Sequence, residues 1–441
     1  MLRKLVLRNF KSWPGADLEF GHITGLFGTN SSGKSGLIQF LLLLKQTKDA
    51  TDRAIALDLN GAYVKLGTYR DMIHQNDQLR LLVWSLAINL PKPLDLVDPS
   101  VKKTGIITRS QKVTVISGVV ALDQEMASPS LSYDIGGVKF SLAKKRDARR
   151  GFDLVAEGTD FRFIRNQGRA WQLPGPVKSY AFPDQARTYF QNASFLSDIE
   201  FAYEEQIDNI FYLGPLRDYP QRNYLWAQSR PQDVGLRGEK AIDAILAATT
   251  ARETRNVGYK GRRRPFQEII AYWLRKMGLL YDFSVEEIAP NSNQWQGRVR
   301  VSKGGTEALL TDVGFGVSQV LPVVTLLQYA PEGSTVILEQ PEIHLHPLAQ
   351  AHLADVIVNA ALHRRIQVIF ESHSEHLLLR LQRRVAEELV PSDQIRLYFC
   401  EAPKGVSKLE PLTLDLFGQI DNWPKDFMGD AFGETYAAEK A

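Results

Sequence analysis

Cysteine is almost missing from this chain of 441 residues, with Cys400 standing alone. A disulfide framework within the chain is thereby excluded, and the composition suits a reducing cytosol. Long hydrophobic runs are missing too: the longest, residues 41–44 and 320–327, fall far short of the ~20 apolar residues of a membrane span. The basic start Met1-Leu2-Arg3-Lys4 is followed by Asn9, Lys11 and Asp17, which interrupt any secretory h-region. The expected location is the cytoplasm, with no membrane partner. Charge of one sign is also lacking, since 53 basic and 50 acidic residues leave a net +3. No global field draws in nucleic acid, and any such surface must be local. Sustained heptads are absent, which excludes a long coiled-coil arm.

What is present is an ordinary globular composition, 44% hydrophobic and 23% charged, on a length that suggests roughly three units. The sharpest feature is Gly28-Thr29-Asn30-Ser31-Ser32-Gly33-Lys34-Ser35. It matches G-x-x-x-x-G-K-[ST] between a short buried strand at 23–27 and a helix at 35–44. Backbone N–H groups must turn inward to ring phosphates, and Gly28 and Gly33 allow that turn at little steric cost. Lys34 then reaches the β- and γ-phosphates of ATP and Ser35 sets its hydroxyl on Mg²⁺, while Asn30, Ser31 and Ser32 complete the loop at the helix N-terminus.

Two more segments carry chemistry. Asp312-Val313-Gly314-Phe315-Gly316-Val317-Ser318-Gln319 opens an apolar helix at 320–328, so Gly316, Ser318 and the free N–H groups form an anion site. Residues 334–338 form an apolar strand that runs into Glu339-Gln340-Pro341-Glu342, the Walker B arrangement, with Glu339 on the Mg²⁺ side. An amide at 340 orients water but cannot accept its proton. Hydrolysis is then slow with ATP acting as a clamp, or Glu342 substitutes as base, or position 340 has been altered. His344-Leu345-His346-Pro347 offers two histidines at i, i+2, but no further Cys or His stands at ligand spacing. A strand at 366–370 ends in Glu371-Ser372-His373.

The rest is organisation. Strands are expected at 2–8, 16–20, 55–66 and 79–88, and short β-type runs at 112–120, 131–134, 138–142, 152–155 and 161–164. Helices are expected at 195–209, 241–248 and 266–279. Two basic clusters, Lys144-Lys145-Arg146 with Arg149-Arg150, and Arg262-Arg263-Arg264 near Arg252, Arg255 and Lys260, read as solvated loops before they read as nucleic-acid contacts.

A strand ending in Asn9-Phe10-Lys11-Ser12, a second strand, the P-loop with Asn30, the Gly314–Ser318 segment, Walker B and His373 come in the order of the RecF/SMC-like branch of the ABC-type ATPases. The run through His344-Leu345-His346-Pro347 is similar to that of OLD-like ATPases. The resemblance covers residues 1–90 and 205–400. It implies an α/β fold: an ABC-type P-loop NTPase head with a mixed sheet, a helical lobe and a β-rich insertion. The implied division is 1–90 for the N-terminal half of the core, 91–194 for the insertion, 195–290 for the helical lobe and return to the core, 291–400 for the C-terminal half, and 401–441 for a packing or docking segment.

The resemblance also implies ATP and Mg²⁺ as cofactors and a homodimer or higher oligomer, paired head-to-tail so that Gly316 and Ser318 cap the γ-phosphate of a second subunit. His373 takes the switch-histidine place, and Lys11 a place beside the nucleotide or in a solvated turn. Gln75, with His74 as its rival, takes the place of a glutamine that reaches Mg²⁺. Arg217, in Gly214-Pro215-Leu216-Arg217, approaches a phosphate or a facing subunit, or makes an ion pair within the domain. The expected function is a slow ATPase that regulates a separate effector such as a nuclease in anti-phage defence; the alternative is a RecF-like clamp on DNA. The usual Leu-Ser-Gly-Gly-Gln signature is replaced by Phe315-Gly316-Val317-Ser318-Gln319, which leaves open which atoms reach phosphate.

Overall fold

The computed structural model describes residues 1–101, 105–122, 125–145, 151–168, 172–258 and 261–422. Arg146, Arg149, Arg150 and Lys260 of the basic clusters lie outside these residues. The architecture is α/β, with the P-loop sheet expected of an ABC-type ATPase head. The chain divides into two compact units, one made of residues 1–20, 31–210 and 401–409 and the other of 21–30, 211–400 and 410–441.

The first unit is built on an antiparallel sheet. Leu2–Phe10 pairs with Trp13–Glu19 on one side and Leu82–Val97 on the other, and the sheet continues through Ile106–Leu122, Ser130–Ile135, Val138–Lys144 and Phe152–Glu157. Alternate residues along these strands are buried, as one packed sheet face requires. Residue 90 falls inside the strand Leu82–Val97, so the segments 1–90 and 91–194 contribute to a single sheet. The helix Lys34–Asp49 buries Phe40 between Phe10, at 5.3 Å between ring centres, and Trp84, at 6.1 Å.

Two expected strands do not form, for one physical reason. At 55–66 the β-pairing is limited to the isolated bridge Asn60 to Lys65. The buried amide of Gln46 takes the place of a neighbouring strand: its Nε2 donates to the carbonyls of Asp58 and Val64, and its Oε1 accepts from the N–H groups of Tyr63 and Val64. At 161–164 the Asn192 amide does the same, accepting from Ile164 N–H and donating to Arg162 O. There Phe161 and Phe163 both pack with Phe140 and Phe195, so the side chains lie on one side although no neighbouring strand pairs with the backbone.

The second unit holds most of a six-stranded sheet in the order Ile210–Leu213, Thr335–Glu339, Gln367–Glu371, Ile23–Gly28, Ile395–Glu401 and Lys408–Leu412. Its four central strands run parallel. They read as continuous buried apolar runs, as strands covered on both faces do. The helices Ala241–Thr250, Phe266–Lys276, Phe315–Tyr329, Pro347–His363 and Glu375–Ala386 supply most of the remaining core. Among the described residues no helix is long and apolar enough to cross a membrane.

Candidate functional site

Parallel register sets the site. Glu339 pairs with Glu371, and Glu371 with Leu26, so the carboxyl ends of three adjacent strands come level where the P-loop leaves Gly28. The strand that leads to His373 lies between the acidic strand and the P-loop strand. Ligands of open α/β sheets bind outside such strand ends.

Two glycines of the P-loop are obligatory. A side chain on Gly28 (φ 139°) would begin 2.0 Å from the Cys400 carbonyl oxygen, and one on Gly33 (φ 94°) would meet Ser407 Oγ at 2.4 Å. Gly33 is further held by Trp13 Nε1, which donates to its carbonyl at 3.0 Å, while Ser407 and Ser12 bond to each other beneath it. Thr29, Asn30 and Ser31 are exposed, Ser32 is buried and Ser35 half-buried. Lys34 is buried with Nζ 3.3 Å from Ser32 Oγ. The helix begins at Lys34 with no side-chain cap and no acidic residue in its first turn, a start whose dipole favours an anion such as phosphate.

Near the start of the same unit, Lys11 (φ 50°) gives its ammonium to Gln39 Oε1 on the P-loop helix, and burial lowers its pKa. The buried His74 ring bonds Lys11 O at 2.7 Å. Its neighbour Gln75 (φ 58°) is exposed, and its Oε1 accepts from Arg80 at 2.9 Å. Of the two rivals, His74 is a structural brace and Gln75 is the exposed one.

The acidic cluster gathers Glu339, Gln340, Glu342, Glu371 and the His373 backbone. Tyr212 Oη donates to Glu339 Oε1 at 2.9 Å. Burial, with Glu371 beside it, pushes the Glu339 carboxyl up to about 7. Arg217 is buried and spends its guanidinium on the carbonyls of Glu339 and Gln340, at 3.0 and 3.2 Å, rather than on a carboxylate. Burial pulls its pKa down to about 10. Gln340 is left-handed (φ 44°), a costly backbone for a non-glycine residue, and its N–H donates to Glu371 O. Glu342 Oε1 accepts the His373 N–H at 2.8 Å, whereas its buried Oε2 has no hydrogen-bond partner. Burial raises the Glu342 pKa.

His373 itself is exposed, and Ser374, not His373, caps the helix Glu375–Ala386. His346 caps Pro347–His363 through Nδ1, so it has a structural task. Among the described residues no group of three or more His, Cys, Asp or Glu is placed to hold a metal.

The Gly314 segment differs from expectation at its helix. The helix starts at Phe315 rather than 320, so Gly316 and Ser318 lie within its first turn. Ser318 is buried and its hydroxyl donates to Phe315 O at 2.7 Å. Gly316 is tightly packed, since a Cβ there would meet His344 O at 3.1 Å. Gly314 is exposed at the N-cap with nothing near its Cβ position, and the first turn again has neither a side-chain cap nor an acid.

Sequence reasoning missed Tyr212, Glu371, Trp13 and Ser407. The sequence offered a signal only for Glu371, which follows an apolar strand as Glu339 does.

A search of curated proteins gave no match. Among solved structures, similar chains include an SMC head bound to the C-winged helix domain of ScpA (13% identity, 94% of this chain and 98% of that one, TM-score 0.45). The SMC head domain from Thermotoga maritima is similar at 13% identity, over 93% and 99%, with a TM-score of 0.38. The Smc head with an extended coiled coil bound to the C-terminal domain of ScpA, from Pyrococcus furiosus, is similar at 11% identity, over 94% and 96%, with a TM-score of 0.44. Residues 390–437 match the family "Protein of unknown function (DUF3696)". Residues 147–380, more than half of the chain, match the family described as "AAA domain, putative AbiEii toxin, Type IV TA system", and the chain belongs to that family.

Proposed function

We propose that this protein is an ATP-dependent switch: it binds ATP with Mg²⁺, hydrolyses it slowly, pairs head-to-tail with a second copy while ATP is bound, and so regulates a separate effector protein in anti-phage defence. The observation that carries this reading is Gln340, an amide directly after Glu339, with the nearest alternative base, Glu342, buried and clamped by the His373 N–H. A clamp that holds ATP for long periods suits a regulator better than a motor. The family description, a putative toxin of a Type IV toxin–antitoxin system, is in keeping with a chain that acts together with a second protein.

The residues fit Mg²⁺. Glu339 and Glu371 are buried carboxylates on paired positions of adjacent strands, and burial with the Glu371 charge raises the cost of ionising Glu339, a cost that a bound cation would lower. Glu339 and Ser35 would hold the ion, with Gln75 as a further ligand; this is a short set, as expected of an ion that keeps waters and phosphate oxygens. When bound, it offsets charge on the phosphates. Lys34 and the N–H groups of residues 31–35 grip the phosphates, and Lys11 lies beside them. Gln340 orients a water; that water's oxygen bonds to the γ-phosphorus as the bond to the β–γ bridging oxygen breaks, and Glu342 Oε2 takes the proton. His373 contacts the γ-phosphate, and Gly316 with the helix start at Gly314 caps it from the second copy.

The DNA-clamp alternative gains little from the basic residues that are described. Arg255 is spent on Glu253 and the Gln328 carbonyl, and Arg264 lies over the Tyr272 ring at 5.2 Å. The deciding experiment measures phosphate release and mass by light scattering on the purified protein with and without ATP–Mg²⁺. Slow release with ATP-dependent doubling of mass is expected; full-rate hydrolysis by a monomer would overturn the reading.

A further inference from the structure

Two tryptophans are fully buried against the helix Lys34–Asp49, and they differ in what the indole N–H does. Trp84 packs on Phe40 with 6.1 Å between ring centres, and its Nε1 has no hydrogen-bond partner. Trp13 lies at the start of the same helix, where its Nε1 donates to Gly33 O at 3.0 Å. Packing explains a large ring at both positions. Only at position 13 is the donor used.

The turn that carries Trp13 is docked along one face of the helix. Trp13 bonds Gly33 and lies against Gly36, where a Cβ would come 3.3 Å from Nε1. Lys11 gives its ammonium to Gln39, and Phe10 packs on Phe40 at 5.3 Å. Positions 33, 36 and 40 follow one another on a helix surface. Ser12 is braced from behind, its carbonyl accepting the Ser407 N–H at 2.9 Å and its hydroxyl accepting from Ser407 Oγ at 2.6 Å. All of these residues belong to the first unit.

What Trp13 holds matters because of the other side of the same peptide unit. That peptide is planar and trans, so the C=O of Gly33 and the N–H of Lys34 point in opposite directions. Gly33 O accepts from Trp13 Nε1 and, at 2.9 Å, from the Gly36 N–H, which uses both of its lone pairs. The Lys34 N–H is thereby turned away from the hairpin, outward from the helix start. Glycine at φ 94° gives the loop its shape but also leaves this peptide free to turn, and a fixed acceptor removes that freedom. Donors on the carbonyl also polarise the amide and strengthen its N–H as a donor.

We propose that Trp13 is a positioning residue for nucleotide binding: its indole N–H fixes the Gly33–Lys34 peptide so that the Lys34 N–H meets a phosphate oxygen without reorganisation. The inference rests on ATP binding at the P-loop, as proposed above, and adds what holds the loop ready for it.

The test is titration of the full chain with ATP–Mg²⁺, beside thermal melting, on the parent, Trp13→Phe and Trp84→Phe. Both variants trim an indole to a phenyl ring against the same helix, and both should melt below the parent. Only Trp13→Phe loses a hydrogen bond, so its affinity should fall ~3–10-fold, the scale of one neutral hydrogen bond, while Trp84→Phe keeps the parental affinity. In steady-state hydrolysis the loss should appear in KM with kcat unchanged, because an ordered loop grips substrate and transition state alike. Replacing Trp13 by 3-benzothienylalanine, whose sulfur stands in for the N–H in a ring of nearly the same shape, should lower affinity by the same factor with little packing loss. That form decides the matter if Trp13→Phe does not fold. Parental affinity in the benzothienylalanine form, an equal loss in Trp84→Phe, or a loss that falls on kcat would each overturn the proposal. A parent that binds no ATP would instead overturn the P-loop reading, and this inference with it.

Discussion

Tyr212 donates its hydroxyl to Glu339 Oε1 at 2.9 Å, joining the edge strand Ile210–Leu213 to the end of the acidic strand. The bond favours the ionised carboxylate, against burial and the neighbouring Glu371, which together push Glu339 up to about 7. In the proposed role on the Mg²⁺ side Glu339 must lose its proton, so activity should fall as pH drops through 7. Tyr212→Phe removes the one hydrogen bond that opposes the upward shift, and the acid limb of the pH–rate profile should move to higher pH. A hydrogen bond to a charged group is worth ~1.5–3 kcal/mol, which corresponds to on the order of one pH unit. A limb that stays in place would show that another group controls it.

Lys34→Ala should lose nucleotide affinity while keeping the fold. The side chain is buried and reaches Ser32 Oγ across the loop, so it contributes a cation and little apolar packing. Fluorescent-nucleotide titration, with circular dichroism as the folding control, should show binding weakened by at least ~10²-fold, the scale of a lost charge-assisted contact to phosphate.

Gln340→Glu restores a base directly after Glu339 and should raise the hydrolysis rate by up to the ~10²–10⁴-fold of a positioned base. The left-handed backbone at 340 is the same for either side chain, so the fold should tolerate the change. Glu342→Gln in the parent is the companion measurement. Its Oε2 is the buried carboxylate oxygen with no hydrogen-bond partner, and loss of the residual rate would make it the parent's base. If Glu342→Gln leaves the rate alone and Gln340→Glu raises it, the parent works without a carboxylate base.

The ATPase was legible wherever local sequence dictates local geometry. Gly28 and Gly33 announced a loop that only glycine can form, and the apolar runs that end at Glu339 and before His373 announced strands. What was not legible depends on residues distant in sequence. Gln46 and Asn192 replace neighbouring strands with side-chain amides, and no periodicity signals that a single polar residue will satisfy a stretch of backbone. Tyr212 reaches Glu339 across 127 positions, and Ser407 meets Ser12 across 395. Arg217 was visible as a lone arginine after Gly-Pro, but its use of two carbonyls in place of a phosphate or a carboxylate follows from burial alone. The start of the helix at Phe315 was misplaced because Gly314 and Gly316 read as a turn; in the structure Gly316 is small so that the helix can approach His344 O.

The proposed head-to-tail pairing can be tested at Gly314 without harming either chain. Ser318 is a poor target, being buried and bonded to Phe315 O, so a bulky residue there would disturb the helix itself. Gly314 is exposed at the N-cap, and a Cβ added to it meets nothing within 4 Å. Gly314→Asp places a carboxylate where N-caps favour one, so the helix Phe315–Tyr329 should be held at least as firmly as before. The same carboxylate occupies the N–H groups that a partner's γ-phosphate needs, and it repels the phosphate. ATP binding to the P-loop of each chain should therefore persist, while ATP-dependent doubling of mass and hydrolysis should both be lost. Light scattering with and without ATP–Mg²⁺, beside a nucleotide titration, separates these effects. A variant that binds ATP and still hydrolyses it at the parental rate would mean that each chain carries a complete site.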